Sequence, residues 1–222
     1  MFSEKTIAFL AENAIRNSRE WFNENKALYT EYVLEPLMEL VVRLSPTVHN
    51  IDPLLICEPR VDRSISRIYR DVRFSRDKSL FRDVMWTIFI RDKKIYQGLP
   101  AFFFELGPGG FRYGAGYYIA GTDTMESIRS MILKNDPAFK KARATYEAQD
   151  LFSMEGEKYK RKKYPDMPLP VQEWLDRKTI CFIHDSTDMA ALYSEDLPDT
   201  IAEGFKLLVP IYNFLIKAEE RK

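Results

Sequence analysis

The stretch SRIYRDVRFSRDKSLFRD (66–83) of the 222-residue sequence is rich in cationic side chains, with five arginines and one lysine. Between residues 60 and 83, eight arginines and lysines stand among four aspartates. A guanidinium group can hold a carboxylate or a phosphate with two parallel hydrogen bonds, so this composition is typical of an anion-binding site. The candidate ligand-binding residues are Arg67, Arg70, Arg73, Arg76 and Lys78.

These arginines have a second explanation, in which nearby acids neutralise them and the segment holds the fold together through internal ion pairs. An extended backbone would place Arg70 on the same face as Ile68, Val72 and Phe74. Because an unpaired charge among apolar side chains costs several kcal/mol, this pattern predicts a largely buried Arg70 with charge-assisted hydrogen bonds. At least one other arginine of the segment is expected to be open to solvent.

Glu105 is the candidate catalytic acid or base, because it stands among apolar residues in AFFFELGPGGFRYGAGYYIA (101–120). This stretch predicts a β-hairpin with a type II turn centred on Pro108 and Gly109, which places Glu105 opposite Arg112. Apolar neighbours raise the pKa of a carboxyl group, as acid–base catalysis near neutral pH requires. A cross-strand ion pair between Glu105 and Arg112 is the structural alternative.

A second basic stretch, YKRKKY (159–164), follows Lys158. Basic residues between tyrosines are suited to holding phosphates and stacking bases. A solvated, charged loop is the commoner explanation for such a run. Both interpretations stay open at the level of sequence.

Several kinds of site are excluded by composition. The only histidines are His49 and His184, so a multi-histidine metal centre cannot form, and no metal site is predicted. Cys57 and Cys181 are the only cysteines and lack CxxC spacing, which excludes a cysteine zinc site. The sequence has neither GxGxxG nor GxxxxGK[ST], so no nucleotide fingerprint is present and no cofactor is predicted.

The overall charge also limits the range of partners. Lysine plus arginine equals aspartate plus glutamate at 33 each, so no global field attracts nucleic acid or a membrane. The sequence shows neither a signal peptide nor an apolar run long enough to span a bilayer. We therefore expect a cytoplasmic protein without a membrane partner, and the sequence leaves its oligomeric state open.

The elements that must position these residues follow from apolar spacing. Helices are predicted through about the first 45 residues, ending at Ser45-Pro46, with two more after the hairpin and a last one interrupted by Pro210. Outside the hairpin, short β-rich runs predict strands at 54–60, 84–91 and 179–185. This order favours an α+β fold, with an antiparallel sheet packed against N-terminal, middle and C-terminal helices. Without a linker or a repeat, residues 1–222 are predicted to form a single domain.

The chain resembles a widespread microbial family, domain of unknown function 2461, in four segments. They are FLAENAIRNSREWFNENKALYTEYVLEPLMELVVRLSP, RIYRDVRFSRDKSLFRD, FRYGAGYY followed by MESIR, and EGEKYKR. The patterns NxREWFxxNKxxY and RIxRDxRFSxDK are long and specific. The sequence departs from the family pattern at Leu80, Phe81 and Arg82, where Pro-Tyr-Lys is expected, and at KRKKYP, where the family has a version containing Pro and Gly. The resemblance implies one compact α+β domain and supplies no catalytic residue.

Three hypotheses for function follow. In the first, the domain binds a small ligand that carries phosphate or carboxylate through the arginine segment, and an enzymatic role is left open. In the second, it is a structural or protein-interaction domain whose arginines form internal ion pairs. Nucleic-acid binding through the arginine segment and the 158–163 stretch ranks third, because such domains usually carry a basic excess.

Overall fold

A computed structural model of the chain describes residues 1–73, 76–92 and 98–221. Phe74, which the strand interpretation placed on the face of Arg70, lies outside the described residues. The remaining sequence-based predictions fall within them.

Helices account for most of the regular structure, and a π-helical turn lies among the first of them. Their bounds are α1 (Glu4–Arg16), α2 (Arg19–Glu24), α3 (Lys26–Tyr29), the π-helical turn (Thr30–Leu34), α4 (Glu35–Ile51), α5 (Thr122–Leu133), α6 (Pro137–Glu147), α7 (Leu169–Leu175), α8 (Met189–Tyr193), α9 (Leu197–Leu207) and α10 (Val209–Glu219).

The strands of the described chain form one five-stranded antiparallel sheet in the order β1-β2-β3-β5-β4. Their bounds are β1 (Met85–Phe89), β2 (Ala101–Gly107), β3 (Gly110–Gly116), β4 (Ser153–Glu155) and β5 (Cys181–Ser186). The predicted α+β fold with an antiparallel sheet is therefore confirmed.

Aromatic side chains join the sheet to the helices. The ring of Phe102 on β2 lies 4.8 Å from that of Phe205 on α9 and 4.9 Å from that of Tyr212 on α10. On β5, the ring of Phe182 lies 5.3 Å from that of Trp174 on α7. Each of these rings is large and buried, so such contacts supply much of the apolar area that stabilises the fold.

The predicted end of the N-terminal helices at Ser45-Pro46 is wrong, because α4 continues through Pro46 to Ile51. Leu44 and Val48, one turn apart on this helix, are completely buried. Burial of these two side chains outweighs the backbone hydrogen bond that a proline cannot donate.

The predicted strand at 54–60 is also wrong, because this stretch is irregular. The buried Ser64 hydroxyl replaces strand pairing here: it accepts a hydrogen bond from the Glu58 amide at 3.0 Å and donates one to the Ile56 carbonyl at 3.1 Å. A tertiary contact therefore satisfies backbone groups that a neighbouring strand would otherwise have paired.

The predicted hairpin turn at Pro108 and Gly109 is confirmed, but its predicted type is wrong. A type II turn needs a positive φ at its second central residue, whereas the positive φ belongs to Gly110, at +127°. Gly110 is the first residue of β3, and its backbone lies against the backbone of Ser186. The glycine is needed at this close approach, one residue beyond the turn.

The chain divides into two compact units. The first consists of Met1–Phe89, Phe103–Tyr113 and Asp185–Ala202, and the second of Ile90–Phe102, Gly114–His184 and Glu203–Lys222. A single domain over residues 1–222 stays a prediction.

Gly110→Ala is expected to destabilise the protein by about 3 kcal/mol, because strain and a backbone collision act together. A Cβ atom at Gly110 would lie 2.2 Å from the Ser186 carbonyl oxygen. Urea unfolding followed by far-UV circular dichroism measures the loss. Gly109→Ala is the matched control: a Cβ there has no neighbour within 4 Å, so a change of at most about 0.5 kcal/mol is expected. Equal losses in the two variants would contradict this account of the hairpin.

Candidate functional site

The arginine segment runs as an extended chain, as the alternating pattern predicted. Tyr69 and Phe81 form an antiparallel bridge, and the Arg70 amide donates a hydrogen bond to the Leu80 carbonyl at 2.9 Å. Ile68 is buried, and the residues on either side of it are exposed. The period of two therefore decides which side chains of this segment face solvent.

An aromatic cluster holds this segment against α2. The ring of Phe22 lies 5.1 Å from that of Phe81 and 5.6 Å from that of Tyr69. On the returning chain, the Arg82 guanidinium lies over the ring of Trp86, 4.6 Å from its centroid. The segment is thus fixed by ring packing as well as by backbone hydrogen bonds.

Most of the arginines in this region meet a carboxylate close in sequence. The ion pairs join Arg67 to Asp62, Arg70 to Asp77 (3.0 Å), Arg73 to Asp71 (2.7 Å), and Arg60 and Arg63 to Glu58 (3.4 Å and 3.3 Å). Hydrogen bonds from Arg73 lower the pKa of the Asp71 carboxyl to about 2. Because these pairs are open to water, solvent and salt screen them, and they contribute little to stability.

Arg70 is paired, but the expectation that it is largely buried is wrong. The exposed fraction of its side chain is 31%. Val72, on the same face, is itself only half-buried, so this face of the segment lies near the surface. The companion prediction is confirmed, since the side chains of Arg67, Arg73 and Arg76 are all exposed.

The two remaining cations of the predicted site differ from the paired arginines. Lys78 Nζ donates a hydrogen bond to the Val72 carbonyl at 2.8 Å. Within residues 1–73, 76–92 and 98–221, Arg76 has no carboxylate partner. The structure thus brings the predicted residues onto one extended surface segment and pairs three of the five with local aspartates.

A separate concave surface, the turn depression, lies beside the hairpin in the first compact unit, with a cavity volume of about 360 Å³. Its lining combines ionisable and hydroxyl side chains with glycine backbone around the turn and apolar groups. The polar side chains that line it are Glu105, Arg112, Asp185, Ser186 and Thr187.

Glu105 is the half-buried carboxylate of the turn depression. Burial is the main cause that raises its pKa; Arg112 lowers the pKa, and the charges of Asp185 and Asp83 raise it further. None of the described residues donates a hydrogen bond to this carboxylate. This carboxyl group therefore keeps its proton to a higher pH than an ordinary surface glutamate does.

Arg112 makes its ion pair with Asp185, where the sequence suggested Glu105. Its Nε atom lies 2.9 Å from Oδ1 of Asp185, and its Nη2 atom donates a hydrogen bond to Oδ2 at 3.2 Å. This two-point contact fixes the plane of the guanidinium group. Arg112 acts on Glu105 through space, as one cation facing several acids.

Sequence reasoning missed the contribution of β5 to the turn depression. Asp185, Ser186 and Thr187 stand at the end of that strand, about 80 residues after Glu105 in the chain. Only the neighbouring positions of β3 and β5 in the sheet connect them to the hairpin. The available signal was a run of short polar residues directly after a predicted strand, which does not reveal the neighbouring strand.

The groups that line the depression are capable of hydrogen bonding and proton exchange. In the described parts of the chain, no group of three or more histidine, cysteine, aspartate or glutamate side chains is placed to hold a metal ion. The chemistry available here is that of a carboxyl group with a raised pKa beside an oriented guanidinium group.

Comparison with protein families matches residues 5–214 to a family described as a conserved hypothetical protein, DUF2461. The chain belongs to the DUF2461 family. The match begins in α1 and ends in α10, so it includes the arginine segment and the turn depression. No curated protein matches the chain. The resemblance stated from the sequence motifs is therefore confirmed.

One departure of this DUF2461 chain from the family pattern has a structural role. The Leu80 amide donates a hydrogen bond to the side-chain oxygen of Asn17 at 2.7 Å, and Phe81 is buried in the aromatic cluster. Leu80 and Phe81 therefore tie the returning chain to the N-terminal helices.

Glu105→Gln is expected to stabilise the protein at pH 7 and to have no effect well below pH 4. Burial raises the folded-state pKa above the unfolded value of about 4.3, so ionisation opposes folding. The destabilisation by the ionised carboxylate is fully present above the folded-state pKa and disappears below the unfolded-state pKa. Urea midpoints of wild type and variant at about pH 7 and pH 3.5 test this expectation.

The control for this measurement is Glu24→Gln, which removes the same charge at an exposed helical position. Its midpoint should follow that of the wild type at both pH values. A Glu105→Gln midpoint equal to or below the wild-type midpoint at pH 7 would show that the Glu105 carboxylate carries no burial cost.

Proposed function

We propose that this DUF2461 domain binds a small ligand rich in N–H or O–H donors, an amine or a polyhydroxyl compound, in the turn depression. The observation that carries the proposal is the half-buried Glu105 carboxylate, to which no described residue donates a hydrogen bond. Half-burial has removed part of the hydration of this carboxylate, and a bound ligand that donates hydrogen bonds to it would restore that solvation. The concave shape provides the enclosure that such a ligand needs.

The local charge supports a donor ligand over an anion at this place. Glu105 and Asp185 line the depression, and Asp83 is close enough to raise the pKa of Glu105, whereas Arg112 is the cation of the lining. The excess of acids repels phosphate and carboxylate groups and attracts ammonium groups. An anionic ligand, expected from the arginine segment, therefore does not suit the depression.

The raised pKa of Glu105 gives the bound ligand a proton acceptor. A hydroxyl or ammonium group within hydrogen-bond reach can transfer a proton to this carboxyl group and take it back. The Arg112 guanidinium, oriented by Asp185, lies beside that position and stabilises negative charge that develops there. In this proposal Glu105 is the general base, and Arg112 and Asp185 are positioning residues.

A cytoplasmic location is part of the proposal. Cys57 and Cys181 are not joined by a disulfide, as is usual in a reducing compartment. Among the helices of the described chain, none combines the length and the apolar character needed to cross a bilayer.

A thermal-shift titration with three probe sets tests the donor-ligand proposal. The sets are small diamines, methyl glycosides of common monosaccharides, and inorganic phosphate, each applied to wild type, Glu105→Gln and Glu24→Gln. At least one amine or glycoside is expected to raise the wild-type melting temperature in proportion to the logarithm of its concentration. Glu105→Gln should lose this shift, and Glu24→Gln should keep it.

Two results would contradict the proposal. One is a shift that survives unchanged in Glu105→Gln, because the ligand would then bind elsewhere. The other is a shift produced by phosphate alone, because the acid-rich depression cannot be its source.

A second candidate function keeps the small anionic ligand at the arginine segment. The specific observation is that Arg76 is exposed and has no carboxylate partner within the described residues, next to the paired Arg73 and Lys78. An incoming phosphate can use the Arg76 guanidinium directly and compete with aspartates for the others.

Calorimetric titration with inorganic phosphate tests this second candidate. Arg76→Gln is expected to weaken phosphate binding at least about 5-fold, the loss of one charge-assisted hydrogen bond. Arg19→Gln removes an exposed arginine from α2 and should leave the affinity unchanged. Equal affinities for the wild type and Arg76→Gln would exclude Arg76 as an anion site.

A further inference from the structure

The basic loop, residues 158–164, is anchored in a defined conformation within the second compact unit. Lys158 forms a β-bridge with Arg177, and the Tyr159 amide donates a hydrogen bond to the Asp176 carbonyl at 2.9 Å. The Lys163 amide donates to the Asp176 carboxylate, also at 2.9 Å. Both ends of the loop are therefore fixed to the chain around α7, and the residues between them form its tip.

Two acids beside the loop already form ion pairs with lysines that lie outside its tip. Glu173 pairs with Lys158, and Glu157 pairs with Lys178. At the tip of the loop stand three consecutive basic residues, all exposed and none forming an ion pair among the described residues, although the charge of Lys162 helps to lower the pKa of Glu173. They are Lys160, Arg161 and Lys162.

Two buried arginines below the loop bind mainly to backbone carbonyls. Arg129 donates hydrogen bonds to the carbonyls of Leu175 at 3.0 Å and of Arg177 at 2.6 Å. Arg177 donates to the Gly156 and Met154 carbonyls, at 2.8 Å and 2.7 Å. The Arg177 Nη2 atom also lies 3.8 Å from the Glu173 carboxylate, which offsets part of its charge, and the charge that remains on the two arginines adds to the positive potential at the loop.

We propose that the basic loop binds the phosphate backbone of a nucleic acid without sequence specificity. Lys160, Arg161 and Lys162 are all exposed, so the tip faces open solvent. An exposed row of cations suits a polymer with closely repeated charges, and duplex DNA carries about one charge per 1.7 Å of its axis. The zero net charge of the chain does not oppose this, because residues 158–163 hold five cations and no acid.

The loop is less suited to the other common polyanions. Its two tyrosines are half-buried, so the tip presents no exposed apolar side chain for insertion into a lipid surface. A duplex condenses counterions along its whole length, and their release when three cations bind favours association. Nucleic acid therefore gains most from this arrangement.

Fluorescence anisotropy with labelled DNA of about 20 nucleotides, single-stranded and duplex, tests the inference on the full chain. We expect a dissociation constant of roughly 10⁻⁶–10⁻⁴ M at about 50 mM salt, weakened roughly 20- to 40-fold at about 200 mM. The combined change Lys160→Ala, Arg161→Ala and Lys162→Ala should weaken binding at least about 10-fold. Its matched control replaces the exposed Lys134, Lys140 and Lys141 by alanine and should remain within about 2-fold of wild type.

The outcomes separate cleanly, provided that circular dichroism shows both triple variants folded, as expected for exposed side chains. Equal weakening in the two variants would overturn the inference, since net charge alone would then explain binding. Absence of binding at about 50 mM salt would overturn it as well. Binding of poly-glutamate or of phosphatidylserine vesicles that depends on the loop and is tighter than DNA binding would assign the surface to an acidic protein or to a membrane instead.

Discussion

The structure depends on how closely the backbone of β3 approaches the backbone of β5. A Cβ atom at Gly114 would lie 1.9 Å from the Phe182 carbonyl oxygen, and one at Gly110 would lie 2.2 Å from that of Ser186. Only glycine permits this approach, and without it β5 could not lie at its present position beside the hairpin. The same approach brings Asp185 to the turn depression, so one steric constraint serves both the sheet and the candidate site.

Two acids in this protein show how differently the fold treats a carboxylate. Asp136 is almost completely buried and accepts hydrogen bonds from the Ala138 amide, from Lys217 and from Arg221, and these contacts lower its pKa. Glu105 is half-buried, its pKa is raised, and no described residue donates to it. The fold thus supplies hydrogen-bond donors to one buried carboxylate, that of Asp136. The lack of such donors at Glu105 among the described residues therefore strengthens the argument that Glu105 binds a ligand.

A net charge of zero conceals three different local balances. Along the arginine segment, ion pairs such as that of Arg73 with Asp71 join residues close in sequence. The positive charge of this surface is therefore neutralised by acids of the same segment. The turn depression has an excess of acids around Glu105, and the tip of the basic loop has three exposed cations that form no ion pair among the described residues. Electrostatic function in this protein is therefore a property of short segments and of the contacts they make.

The sequence by itself determined what depends on near neighbours: the helices, the hairpin turn at Pro108, the alternation along the arginine segment, the family, and Glu105 as a carboxylate among apolar residues. Tertiary structure decided which distant groups meet these elements. The burial of Arg70 depended on how deep its segment lies, and the irregular path of 54–60 depended on one hydroxyl group, that of Ser64. The partner of Arg112 depended on strand order, because β5 lies beside β3 and brings Asp185 within hydrogen-bond distance. Residue types and spacing carry the local preferences of the backbone, whereas contacts across about 80 residues are set by packing of the whole chain.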